Sequence, residues 1–157
     1  MRILISTDGS EFSKAAIDAC RKIVFDPEKT SFRIVSAVAA PLMPADPFVG
    51  VSANYYDRIE QVGYALAKQI LDESADRLRA LFPAASLDLT TEVMDGSPVR
   101  VIVEEAERWN ADLIVVGSHG YGFWNRALLG SVSGSILHYA PCSVLVMRAK
   151  RNAIEAA

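Results

Sequence analysis

Leu113-Ile114-Val115-Val116-Gly117-Ser118-His119-Gly120 is a run of four apolar residues that stops at a glycine and then turns polar. No residue in the run is left to face solvent, so it predicts a strand buried on both sides, as in a parallel sheet covered by helices. Arg2 to Thr7 repeats the pattern near the start of the chain: an almost wholly apolar, β-branched run halted by Asp8-Gly9-Ser10.

Helical spacing separates these strands. Ala16, Ile17, Cys20, Ile23 and Val24 recur at intervals of three and four, with Lys14, Asp18, Arg21 and Lys22 on the opposite side, and Asp26-Pro27 closes the helix. Phe32 to Val38 reads as a second strand. Pro41, Pro44 and Pro47 then punctuate a stretch, Ala40 to Ala53, that suits neither a helix interior nor a central strand; disorder is expected there, with a lid or a docking segment as alternative uses. From Asp57 to Phe82 the positions Ile59, Val62, Leu66, Ile70, Leu78 and Leu81 keep helical spacing up to Pro83. Leu87 to Val93 is the third strand. Gly96-Ser97-Pro98 then sets a capping serine before a proline at the first helical position, starting a helix that runs to about Trp109. A short helix over Val132 to Tyr139 ends at Pro141, and Ser143 to Met147 is the last strand.

Alternation of strands and helices gives an α/β domain. Right-handed crossovers favour a doubly wound, Rossmann-like five-stranded parallel sheet in the order 3-2-1-4-5, with helices on both faces. Strands one and four then lie side by side where the winding reverses, and ligands bind outside the carboxyl ends of strands at such a point. Thr7-Asp8-Gly9-Ser10 is therefore expected to face Gly117-Ser118-His119-Gly120 across a crevice.

A chain of 157 residues, 51% hydrophobic and 22% charged, fits one domain with a continuous core. A net charge of -3 gives no broad attraction to polyanions, so neither nucleic acid nor an acidic membrane is expected as partner. Met1 to Ile5 turns polar at Ser6-Thr7-Asp8, too soon for a signal-peptide core, and no apolar run approaches membrane-spanning length, so a cytoplasmic protein is expected. Cys20 and Cys142 are too far apart for a CxxC motif and read as buried apolar fillers.

The loop after strand four carries glycines at 117, 120, 122 and 130. Glycines let backbone N–H groups approach phosphate oxygens and supply positive φ where N–H groups must converge. Gly130-Ser131-Val132-Ser133 opens a helix whose first N–H groups lack intrahelical partners, and Ser131 and Ser133 offer hydroxyls. On the residues alone, Gly117 ending a strand and Ser131 capping a helix remains an alternative. No G-x-x-x-x-G-K-[ST] loop and no G-x-S-x-G elbow is present. His119 and His138 are too few and badly spaced for a metal centre. His119 either reaches a phosphate or is a solvated loop side chain, and Arg126 is either a phosphate clamp or a surface residue.

The spacing Gly117-x2-Gly120-x9-Gly130-Ser131, together with Asp8-Gly9-Ser10, resembles the ATP-binding branch of the universal stress protein family. The resemblance extends over 1–148 and includes Gly96-Ser97-Pro98, Ala111 to Gly120 and Pro141 to Arg148; residues 149–157 are expected to be a disordered tail. It implies that Gly117, Gly120, Gly130, Ser131 and Ser133, with the backbone of Val132, hold the ribose and phosphates of ATP. Asp8 would sit near them, accepting from a ribose hydroxyl or holding Mg2+ through the phosphates, while otherwise shaping only its turn. Val38 matches the position whose backbone contacts adenine, its other reading being ordinary core. Phe123 and Trp124 depart from the polar and basic residues of the family's loop. The resemblance also suggests a homodimer, for which Ser143 to Met147 could pair with its symmetry mate, unless the tail covers that edge. The leading expectation is a nucleotide-dependent stress-response and signalling module with little or no turnover and an unnamed protein partner. A slow Mg-dependent ATPase and a nucleotide-free dimeric structural or chaperone-like protein are the alternatives.

Overall fold

A computed structural model describes residues 1–39, 53–120 and 129–149, with side chains of the helix that begins at Ala53 described from 57 onward. The elements are β1 (Arg2–Ser6), α1 (Glu11–Ile23), a 3-10 turn (Pro27–Lys29), β2 (Ser31–Val38), α2 (Ala53–Leu81), β3 (Asp88–Asp95), α3 (Pro98–Arg108), β4 (Leu113–Gly117), α4 (Ser131–Tyr139) and β5 (Ser143–Met147). The strands form one parallel sheet in the order β3-β2-β1-β4-β5, as expected. The stretch 40–52, the loop residues 121–128 including Gly122, Phe123, Trp124 and Arg126, and the tail 150–157 lie outside the described residues.

Period-two alternation divides the strand side chains between two cores. Ile3, Ile5, Phe32, Ile34 and Val115 point to one face, where Ile17 and Cys20 of α1 and Leu71, Ala75 and Leu78 of α2 cover them. Leu4, Val35, Ile114 and Val116 point to the other, beneath Val101, Ile102 and Ala106 of α3 and Ile136 of α4. The strands are apolar throughout because both faces are covered.

The helix ends follow from local chemistry. Ser10 caps α1 by accepting from the Ser13 N–H at 3.3 Å, with Glu11 in the first turn and Arg21 and Lys22 in the last, matching the helix dipole. Ser97 occupies the N-cap position of α3 but makes no side-chain capping bond, so Pro98, with φ already fixed, is what starts that helix. Asn110, at φ 51°, ends it in a Schellman turn, with Ala111 N–H donating to Ala106 O at 2.9 Å and Asn110 N–H to Glu107 O at 3.1 Å. Cys20 is buried as expected, but Cys142 is only half-buried, because it lies on the short turn into the edge strand. Among the described residues, no helix is long and apolar enough to cross a membrane.

Candidate functional site

The crevice opens at the carboxyl ends of β1 and β4, where the sheet order predicted it. A cavity of about 250 Å³ is lined there by Asp8, His119, Gly117, Gly120, Gly130, Ser131, Val132 and Ser133, with Ser6, Thr7, Ser13, Ala37, Pro98 and Val116 completing the wall. The structure thus brings together all the described site residues that were expected except Val38; Arg126 lies outside the described residues. Val38 ends β2, but its carbonyl accepts from the Gly96 N–H at 2.9 Å and its Cγ1 faces Gly63 of α2. Ala37, one residue back and on the other face, lines the cavity instead.

Asp8 lies two residues beyond the end of β1, and its carboxylate is held on one side only. Oδ1 accepts from the Ser10 N–H at 3.0 Å and from the Ser10 hydroxyl at 2.6 Å. Oδ2 faces Gly120, where an ideal Cβ would lie 2.7 Å from it. Gly117 is required for a different reason: a Cβ there would come within 2.7 Å of Phe12 C and 2.8 Å of Ser13 N, so its hydrogen is what lets α1 approach β4. The glycines at positive φ among the described residues are Gly9 (81°) and Gly96 (128°), which turn the chain out of β1 and β3. At the described positions 117, 120 and 130, close approach rather than positive φ accounts for glycine.

Ser118 ties the two ends of the loop together. Fully buried, it donates its N–H to Met147 O at 2.7 Å, while its own carbonyl accepts from the Gly130 N–H at 2.8 Å and the Ser133 hydroxyl at 2.9 Å. The Ser133 proton, shared with Gly130 O at 3.1 Å, is therefore committed to the loop base, leaving the exposed Ser131 as the hydroxyl at the cavity mouth. Gly130 is the N-cap of α4 and no side chain caps that helix, so its first-turn N–H groups and the positive end of its dipole are open to an anion. The α1 N-terminus, by contrast, is already served by Ser10 and Glu11.

His119 stands in the cavity wall with its ring 5.2 Å from that of Phe12 and Nδ1 3.1 Å from Ser118 Oγ. Among the described lining residues there is one carboxylate, Asp8, one imidazole, and no lysine or arginine. Sequence reasoning takes Ser10 only as a turn residue and does not single out Ser13; the sole signal was a serine two residues after Asp8 and another three further on.

The universal stress protein family model matches residues 1–148. The chain is 33% identical over 152 residues to a universal stress protein of Methanocaldococcus jannaschii, covering 94% of this chain and 81% of that one. Among solved structures, the universal stress protein UspA of Lactobacillus plantarum superposes with a TM-score of 0.75 at 22% identity, over 94% of this chain and 97% of that one. A universal stress protein solved in complex with cAMP superposes with a TM-score of 0.65 at 25% identity, over 96% of this chain and 98% of the other.

Proposed function

This chain belongs to the universal stress protein family, and on that premise we propose that it is an ATP-binding member acting in the cytoplasm as a nucleotide-dependent stress-response and signalling module, with little or no turnover. One juxtaposition carries the reading. An outward carboxylate oxygen, Asp8 Oδ2, and an uncapped helix N-terminus, that of α4, open into one cavity at the switch point of the sheet. A nucleotide complements both features, its phosphates meeting the α4 amides and its ribose or metal ion meeting Asp8. The relative in complex with cAMP supports an adenine nucleotide.

In this assignment the backbone at Gly117, Gly120, Gly130 and Val132 lies along the ribose and phosphates. The Ser131 hydroxyl and the His119 imidazole reach phosphate oxygens, Ser133 braces the loop through Ser118, and Arg126 adds a cation. Ala37, in the cavity wall, takes the adenine-end role expected of Val38, whose carbonyl is engaged by the Gly96 N–H. Mg2+ fits only as an ion shared with the phosphates: no group of three His, Cys, Asp or Glu able to hold a metal occurs among the described residues, and Asp8 offers one hard oxygen. When bound, the ion would offset phosphate charge that Asp8 itself repels. The described lining holds no lysine to draw charge from a departing phosphate, which is consistent with a site that stores rather than turns over nucleotide.

β5 is an edge strand, paired on one side with β4, and its outer edge suits pairing with a second copy of the chain. The test of the nucleotide reading is to denature freshly purified protein, identify what is released, and follow ADP formation with and without Asp8→Ala. Released adenine nucleotide with negligible ADP formation is expected; rapid ADP formation that Asp8→Ala abolishes would replace the storage role with an ATPase.

A further inference from the structure

We infer that Ser10 is a positioning residue for Asp8, holding one carboxylate oxygen so that only the other is presented to the crevice. The hydroxyl protons can be assigned by elimination. Ser10 Oγ accepts from the Ser13 N–H, so its single proton is the one donated to Asp8 Oδ1, alongside the donation from its own N–H. Ser10 is itself fixed from beneath. The Ser13 hydroxyl donates to Ser10 O at 2.9 Å, and the Thr7 hydroxyl donates to Ser13 Oγ at 3.2 Å. With the Thr7 proton so used, Ser74 of α2 is the donor in its 3.2 Å contact with Thr7. A one-way chain therefore runs from Ser74 through Thr7 and Ser13 to the backbone of Ser10, and all four side chains are buried.

Capping α1 needs only an acceptor at position 10, which aspartate or asparagine would supply as well. Donation to Asp8 needs a hydroxyl proton as well as an acceptor. Two donors on one oxygen fix both the χ1 rotamer of Asp8 and the rotation of its carboxylate, whereas the N–H alone lets the side chain leave that rotamer, and Oδ2 then no longer points steadily at Gly120. Aspartate at position 10 would cap the helix yet set a second carboxylate against the first.

The inference uses the nucleotide reading for one of its two readouts, and the other is independent of any ligand. Three-bond N–Cγ and C′–Cγ couplings of Asp8 report its side-chain rotamer in the free protein. We expect a single rotamer in wild type and Ser10→Thr, and averaged couplings in Ser10→Ala and in Ser10→Asp, which keeps the α1 cap. Titration with Mg-ATP should show affinity falling about fivefold in Ser10→Ala and returning in Ser10→Thr, about the 1 kcal/mol of one ordinary hydrogen bond. In an Asp8→Ala background, Ser10→Ala should cost nothing further. A single Asp8 rotamer in both loss variants, or an equal affinity loss in the Asp8→Ala background, would overturn the positioning role. Wild type that shows the expected couplings yet binds no Mg-ATP would uphold the positioning of Asp8 and overturn the nucleotide reading alone.

Discussion

Gly120 has no room for a side chain beside Asp8, since an ideal Cβ there would stand 2.7 Å from Asp8 Oδ2. The obstructing atom is the end of a side chain, so Gly120→Ala displaces the carboxylate rather than the fold. Mg-ATP affinity should fall by about tenfold or more, roughly the 1.4 kcal/mol of a misplaced charged contact, with thermal stability nearly unchanged. Gly117→Ala should behave oppositely, because its Cβ would meet the backbone of Phe12 and Ser13. That overpacking should cost about 2 kcal/mol in a urea titration. Equal effects of the two substitutions on stability would contradict the distinction.

The strand side of both cores is legible in the sequence, because strands buried on two faces are written as unbroken apolar runs. The α2 side is not, since Ile59, Val62 and Leu66 keep helical spacing yet are exposed, while Leu71 and Ala75 are buried. Ser143 to Met147 emerges with the bounds it was given. The elements that outran their apolar signal were read short. β3 continues to Asp95 because the backbones of Met94 and Asp95 still pair with Ala37 and Val38, and α2 begins at Ala53, before its apolar spacing starts. In the site, topology alone brought Asp8 to Gly120. Side-chain direction was not legible: the Ser133 hydroxyl turns to Ser118, Ser10 grips Asp8, and a single step of strand parity gives Ala37 rather than Val38 to the cavity.

Glu105 is buried in α3 and takes charged hydrogen bonds from Arg33 of β2 and from Arg108, while Arg33 also lies 5.7 Å over the Trp109 ring. The Arg33 Nε has no partner among the described residues, and the guanidinium is compensated by the buried Glu105 and, at 3.3 Å, by the part-exposed Glu92. Glu105→Leu would leave Arg33 largely buried without a fully buried counter-charge, and should destabilise by about 3 kcal/mol in urea. The cluster sits toward the amino ends of the strands, away from the crevice, so Mg-ATP affinity should not change. Loss of affinity without loss of stability would be the opposite of this expectation.

Burial pushes the Cys20 thiol up from 9.0 to about 12. Because the folded value lies above the unfolded one, the thiol's contribution is whole below pH 9 and is lost as the pH climbs toward 12. Wild type should therefore lose stability relative to Cys20→Ala over that window, by up to about 1.4 kcal/mol per pH unit. Chemical denaturation of the two proteins side by side checks this, and a gap that stays constant with pH would refute it.

Met147 O accepts from the Ser118 N–H of the neighbouring chain segment, so along β5 the backbone groups of 143, 145 and 147 face β4 while those of 144 and 146 face outward. Val146→Pro removes an outward N–H and spares the β4 ladder. If a second copy pairs on that edge, sedimentation velocity at micromolar concentration should show dimer for wild type and monomer for Val146→Pro, with the same circular dichroism. A wild-type monomer, or a dimer indifferent to the substitution, would remove the edge-pairing assignment.

The nucleotide site itself is tested most directly by calorimetric titration of Mg-ATP into wild type and into Gly130→Glu. A side chain at 130 would crowd Ser118 O, 3.1 Å from an ideal Cβ, and place a carboxylate at the α4 N-terminus where the phosphates are expected. Saturable binding of one nucleotide per chain by wild type, abolished in a folded Gly130→Glu, is the predicted result. Absence of binding by wild type at millimolar Mg-ATP, or binding that Gly130→Glu leaves intact, would contradict it.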